Sequence, residues 1–126
     1  MASDMRSPLA RASGLGSAKS GPGHWRAQRL SAVALVPLTL WFVASIITHS
    51  GGTYPAFVAW LRTPLAATAT VLLLIALFYH SALGLQVVIE DYIHSRAKFA
   101  AVIAVRLGCF AIGAAGILAT LRIALG

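Results

Sequence analysis

One histidine stands alone in a long apolar stretch of this sequence. From Thr63 to Ile89 there is no Asp, Glu, Lys or Arg, so the imidazole of His80 is the one group in this run that changes charge near neutral pH. A polar group at membrane depth is costly, and it usually faces protein, a cofactor or a water-filled path. His80 is therefore the first candidate for a functional residue.

The spacing around His80 permits two interpretations. Because each residue of an α-helix advances by about 100°, His80, Gly84 and Asp91 fall on one stripe. A glycine one turn from a histidine leaves room for a flat ring, such as a haem whose iron the imidazole ligates. The same glycine suits a neighbouring helix that packs closely against it. The residues alone leave both interpretations open.

A haem with two axial ligands would need a second imidazole. The other histidines are His24, His49 and His94. His49 closes the first apolar run at the opposite surface, and we estimate that its depth differs from that of His80 by roughly 15 Å. Two imidazoles on one iron lie only about 4 Å apart. If a haem binds, we expect its second ligand to come from another subunit.

Polar residues at the inner end of the same run suggest a second kind of chemistry. Asp91 and Tyr92 lie about 18 Å from His80 along a helix. They are typical of an acidic helix end followed by a tyrosine at the membrane interface. Alternatively, the phenol donates a hydrogen bond to a quinone carbonyl while Asp91 relays protons.

Two arginines also qualify as candidates. Arg29 precedes the first apolar run, where it either anchors the helix on the basic side of the membrane or pairs with a haem propionate or a partner carboxylate. Arg106 stands about ten residues into the third apolar segment. We expect it to pair within a complex or to mark a polar interface, and we assign it no role.

Composition sets the class of protein. The chain has 126 residues, of which 59% are hydrophobic and 10% charged, whereas a soluble domain carries about 25% charged residues. A single cysteine, Cys109, excludes a disulfide framework or a cysteine-based metal cluster within the chain. The net charge of +7 comes from basic residues that flank apolar runs, which favours a topology signal over nucleic-acid binding.

The apolar runs predict an all-α membrane protein. Three transmembrane helices form an up-down-up bundle, with a short interfacial helix over Ala56–Arg62. Residues 1–23 are predicted to be a flexible cytoplasmic tail that ends in the break Gly21-Pro22-Gly23, and residues 24–126 form the anchor. The predicted spans are about 30–49, 65–90 and 98–121.

The distribution of basic residues predicts the orientation. With the N-terminus inside, seven basic residues lie on the cytoplasmic side: five ahead of the first apolar run, and Arg96 and Lys98 between the second and third runs. Arg62 and Arg122 lie on the other side. The positive-inside rule then places the N-terminus in the cytoplasm and the C-terminus in the periplasm. An organelle transit peptide is the lesser interpretation of the leader.

The string His80-x₃-Gly84-x₆-Asp91-Tyr92, preceded by Gln28-Arg29-x-Ser-Ala, resembles a known family. It is similar to the D-type small hydrophobic membrane-anchor subunit of succinate dehydrogenase, respiratory complex II. The similarity extends over residues 23–122 in the number and order of spans. It is most specific from His80 to Tyr92, whereas the surrounding helices are generic.

The resemblance implies a role for each candidate residue. His80 would be one axial ligand of a b-type haem shared with the second, C-type anchor. Tyr92 would hydrogen-bond ubiquinone near the iron–sulfur subunit, supported by Asp91, and Arg29 matches an arginine near the haem propionates and the quinone pocket.

The implied assembly also contains a flavoprotein subunit, and it would lie in a bacterial inner membrane, with the mitochondrial inner membrane as the second choice. This chain has no dinucleotide-binding glycine fingerprint, so the flavin chemistry belongs to the partner. Two alternatives remain: a small non-redox membrane protein, such as a transporter subunit or assembly factor, and the anchor of a quinol:fumarate reductase.

Overall fold

The computed structural model describes residues 7–12 and 21–126. No strand occurs in this part of the chain, which confirms the predicted all-α fold class. Its five helices are α1 (Pro8–Ala12), α2 (Gly21–His49), α3 (Tyr54–Leu61), α4 (Pro64–Tyr92) and α5 (Ala97–Leu125).

Three of these helices are long and apolar enough to cross a membrane. The number of spans predicted from the sequence is therefore confirmed, but each helix extends beyond the apolar run that predicted it. Backbone hydrogen bonding continues into the polar flanks, since a helix does not need apolar side chains to persist at the membrane surface. The candidate spans are Pro22–His49, Pro64–Tyr92 and Ala97–Leu125.

The start of α2 corrects one expectation. The helix begins at Gly21, so the segment Gly21-Pro22-Gly23 is helical and not the predicted flexible break. Pro22 is the second residue of the helix, where its missing N–H removes no intrahelical hydrogen bond. Most of the predicted tail 1–23 lies outside the described residues, and Pro8–Ala12 within it is a short helix.

Threonine–proline pairs set the bounds of the next two helices. The hydroxyl of Thr53 accepts from the backbone N–H of Ala56 at the start of α3, and Thr63 accepts from Ala66 at the start of α4. A proline occupies the first turn of each helix, as the sequence predicted for Pro64. The interfacial helix predicted at Ala56–Arg62 forms as α3, displaced slightly toward the N-terminus.

The long helices form an antiparallel bundle with α4 in the middle, in contact with both α2 and α5. Gly113 and Gly116 of α5 pack against Phe78 and Leu74 of α4, respectively. As residue numbers rise along α5 they fall along α4, so the two helices run in opposite directions. Small residues at such a crossing let two backbones approach closely.

The interior of this bundle is thin. The buried apolar side chains in the described residues are Leu61, Ala66, Leu73 and Leu83. Large apolar side chains such as Leu40 and Phe110 are exposed. An apolar outer surface of this extent suits lipid or the helices of other subunits.

Candidate functional site

His80 faces α2, where it meets a buried serine. Its Nδ1 lies 3.0 Å from Oγ of Ser31, whose hydroxyl donates to the carbonyl oxygen of Gln28 at 2.9 Å. A serine hydroxyl carries one proton, so both contacts are satisfied together only if Nδ1–H of His80 donates to Ser31. We assign this tautomer from the hydrogen-bond network. In the neutral imidazole, a proton on Nδ1 leaves Nε2 with a free lone pair.

Nε2 of His80 is open to a ligand. It makes no hydrogen bond to a described residue, and it is not among the buried polar atoms that lack a partner. The atom is therefore not fully enclosed by the described residues. A neutral imidazole with one nitrogen held and the other free is a common metal ligand. The residues present thus fit a metal bound at Nε2 of His80.

The side chain of Gln28 lies beside Gly84. A Cβ atom at this position would be 3.6 Å from Nε2 of Gln28, an ordinary van der Waals distance to the end of a flexible side chain. Gly84 therefore faces α2, and its two interpretations, helix packing and room for a flat ring, both stay predictions. The argument for a haem depends on the nitrogen of His80 and not on the glycine.

Two further polar residues line the same side of α2. His24, Gln28 and Ser31 are spaced i, i+4 and i+7, which places them on one helix face. Nε2 of His24 and Oε1 of Gln28 are buried without a hydrogen-bond partner in the described residues. Each such atom costs about 1–3 kcal/mol until water, a cofactor or a partner side chain satisfies it.

The sequence interpretation gave His24, Gln28 and Ser31 no site role of their own. Their spacing of i, i+4 and i+7 on one helix face is the sequence signal that could have identified them. Ser31 on that face contacts His80.

The register of α2 against α4 separates the histidines further than the sequence suggested. Ser31 is level with His80, and His49 lies 18 residues later on α2, about 27 Å along the helix axis. The sequence estimate of 15 Å was too small. His24 lies about 10 Å from Ser31 in the other direction, so neither residue can share an iron with His80. Within the described residues there is no group of three or more potential metal ligands.

Asp91 and Tyr92 lie away from His80, at the end of α4. Both are exposed, and Tyr92 retains 82% of its accessible surface. Arg29 is exposed on α2, where its guanidinium carbon lies 5.6 Å from the ring centroid of Trp25. Asp91 and Tyr92 therefore form no cluster with His80, and the side chains of Asp91, Tyr92 and Arg29 are exposed to what surrounds the bundle.

Arg106 finds its partner on α4. Its guanidinium donates from Nε and Nη2 to Oε1 of Gln86, with 3.0 Å for the Nε bond. The amide nitrogen of Gln86 donates in turn to Glu90 at 2.7 Å. Gln86 therefore links a cation on α5 to an acid near the C-terminal end of α4. These hydrogen bonds give a structural partner to Arg106, to which the sequence assigned no role.

The three long apolar helices define an α-helical, multi-pass membrane protein. The model of one protein family, described as succinate dehydrogenase/fumarate reductase transmembrane subunit, matches residues 3–113. The chain belongs to this family, as the resemblance of its His80–Tyr92 segment predicted.

Curated relatives agree with the family match, and all three compared here are named succinate dehydrogenase hydrophobic membrane anchor subunit. The protein of Rickettsia bellii is 35% identical over 108 residues, which cover 85% of this chain and 86% of the relative. That of Paracoccus denitrificans is 34% identical over 119 residues, 94% and 92% of the two chains. That of Rickettsia conorii is 32% identical over 111 residues, 86% and 88%.

No solved structure matches the chain significantly. The family membership makes this protein a membrane-anchor subunit, and it favours that role over a transporter subunit or an assembly factor.

Proposed function

We propose that this chain is the D-type anchor of a succinate:ubiquinone oxidoreductase in a bacterial inner membrane. Its partners are a C-type anchor, an iron–sulfur subunit and a flavoprotein subunit. The single observation that carries the redox part of the proposal is the free Nε2 of His80, whose Nδ1 is held by Ser31. The names of the relatives support the enzyme to which the anchor belongs.

His80 would bind the iron of a b-type haem from this side. When bound, such a haem supplies a one-electron centre at the level of the inner half of the bundle. A second protein ligand would come from the C-type anchor, because His24 and His49 are too far along α2 from the level of His80.

Tyr92 and Asp91 would serve the quinone at the inner end of α4. The exposed phenol of Tyr92 donates a hydrogen bond to a quinone carbonyl, and the neighbouring carboxylate of Asp91 exchanges protons with the reduced product. A rise of about 18 Å separates this end of the helix from His80. The quinone and the haem would thus contact the same helix at different depths.

Arg29 would act from α2, two residues before Ser31. Its exposed guanidinium lies beside Trp25 and has no carboxylate partner among the described residues. Arginine recognises carboxylates through a planar, bidentate fork. A haem propionate or a carboxylate of a partner subunit is the group that this fork fits.

The exposed apolar faces would pack against the other anchor. One groove of about 600 Å³ runs between α4 and α5, with Phe78, Phe110 and Ile117 among its lining residues. A water-facing surface of this kind would be costly, whereas the helix of a partner subunit or lipid covers it without penalty. Soluble subunits would bind at the cytoplasmic side, where the positive-inside rule places Arg96 and Lys98.

The deciding experiment replaces His80 in the complete complex. In His80→Ala, we expect the complex isolated through a tag on this chain to lose most of its haem b absorbance, measured per flavin in the reduced-minus-oxidised spectrum. His94→Ala is the matched control, since His94 is exposed beyond the end of α4. An unchanged haem spectrum in His80→Ala would refute ligation by His80. Absence of flavin and iron–sulfur subunits from the wild-type preparation would refute the assembly.

A quinol:fumarate reductase anchor is the second candidate function, because the family description names both enzymes. The reaction direction distinguishes the two. Purified complex should reduce ubiquinone with succinate faster than it reduces fumarate with a low-potential quinol. The reverse ratio would favour the second candidate.

A further inference from the structure

We infer that Ser31 is a positioning residue for His80: it fixes the proton on Nδ1, presents the bare Nε2 to the iron and sets the basicity of the ligand. This inference rests on the proposed ligation of haem by His80. It adds a role for a residue of α2 that does not touch the metal.

The geometry of Ser31 is that of a hydrogen-bond acceptor. Its hydroxyl proton is engaged by the carbonyl oxygen of Gln28, one helical turn earlier, so only the oxygen lone pairs face Nδ1 of His80. Ser31 retains 7% of its accessible surface, and the contact at 3.0 Å is therefore shielded from competing solvent. A shielded hydrogen bond is stronger than one in water.

The chemical consequence concerns the bond between imidazole and iron. A ligating histidine that donates its other N–H to an acceptor has a fixed tautomer and ring orientation, and is a more basic ligand. A more basic imidazole stabilises ferric relative to ferrous iron. The acceptor therefore lowers the reduction potential of the haem, and its removal should raise that potential.

The position of Ser31 on α2 also explains why the site needs helix packing. His80 belongs to α4, but the atom that orients it belongs to α2, and Gln28 sits against Gly84 one turn away. The alignment of α2 with α4 therefore decides whether the serine reaches the imidazole.

The test compares three variants of α2 in the intact complex by redox titration of the haem and by its low-spin EPR spectrum. Ser31→Ala removes the acceptor. Ser31→Thr keeps a hydroxyl and should restore the wild-type behaviour. Ser45→Ala is the matched control, since Ser45 is also buried on α2, with 8% of its surface accessible, but lies about 21 Å further along the helix.

In Ser31→Ala, at the ambient potential where wild-type haem is half reduced, we expect the ferrous-to-ferric ratio to rise at least about threefold. That corresponds to roughly 28 mV at 59 mV per tenfold for one electron. We expect a shift in the largest EPR g value as well. Ser31→Thr and Ser45→Ala should keep the wild-type potential.

An unchanged potential and EPR spectrum in Ser31→Ala, or an equal change in Ser45→Ala, would overturn the role of Ser31. Ligation by His80 would survive that result, because it is tested separately by the loss of haem in His80→Ala. Ser31→Ala could also lose the haem altogether while Ser31→Thr retains it. That result would support the positioning role as well, because haem binding itself would then depend on the hydroxyl at position 31.

Discussion

Arg106 of α5 donates two hydrogen bonds to the side-chain oxygen of Gln86 on α4. The guanidinium lies nine residues beyond the start of α5, about 14 Å along the helix, where an unpaired charge would be expensive. The amide of Gln86 donates a hydrogen bond to Glu90 in turn. Arg106 and Glu90 are therefore connected through a neutral side chain. The bond also ties α5 to α4.

Gln86→Leu should destabilise the complex, because it leaves the guanidinium without its acceptor. We expect a loss of about 1–2 kcal/mol, seen as a lower apparent Tm of the purified complex. The double variant Gln86→Leu/Arg106→Leu removes both partners and should recover part of that loss. If the single and double variants are equally destabilised, the interaction between the two side chains contributes nothing measurable.

Gly113→Leu should push α5 away from α4. A Cβ atom at Gly113 would already lie 3.3 Å from the ring of Phe78, and a whole isobutyl group cannot fit without displacing the helix. We expect a loss of about 1–3 kcal/mol in stability. Thermal inactivation of the purified complex would measure the effect.

Gly108 supplies the matched comparison for Gly113. A Cβ atom there would meet nothing within 4 Å in this chain, so Gly108→Leu should be tolerated by the α4–α5 contact. Equal damage from the two substitutions would show that the close contact with Phe78 is not what makes Gly113 sensitive.

Tyr92→Phe should slow quinone reduction by about threefold to tenfold, since one hydrogen bond to the quinone carbonyl is lost. Succinate oxidation with a soluble artificial electron acceptor should be unaffected, because that reaction bypasses the membrane site. Tyr54→Phe is the control: Tyr54 is also exposed but begins α3, at the other end of the bundle. A parallel decrease in both activities of Tyr92→Phe would contradict a role at the quinone.

The proposed orientation can be read from cysteine labelling. In a Cys109→Ala background, Ser50→Cys and Ser95→Cys each place one thiol at an exposed position, at opposite ends of the bundle. A membrane-impermeant maleimide added to whole spheroplasts should label position 50 and spare position 95. Labelling of position 95 alone would reverse the assigned orientation of all the spans.

Much of the fold follows from local features of the sequence. Pro64 and the capping Thr63 start α4 where the sequence predicted, because a cap and a first-turn proline act within a few residues. The break predicted at Gly21-Pro22-Gly23 failed for the same kind of reason: proline opposes a helix only in its interior, and here it falls in the first turn.

Only part of the candidate site could be predicted from the sequence. His80 was identified because an imidazole in an uncharged apolar run is conspicuous. Ser31 was not, since serines occur in many membrane helices and its neighbour lies 49 positions away along the chain. The roles of Asp91, Tyr92 and Arg29 remain predictions, because their side chains point out of this bundle toward groups that other subunits would supply.

What the sequence by itself determined is the membrane class, the number of spans and the family, because hydrophobicity, span length and motif spacing are properties of the chain read in order. The tertiary structure decided the register of α2 against α4. That register pairs His80 with Ser31, places Gln28 beside Gly84 and sets His49 far from the level of His80. Apolar faces can slide past each other at little cost, so only the packing of specific side chains fixes how two helices align.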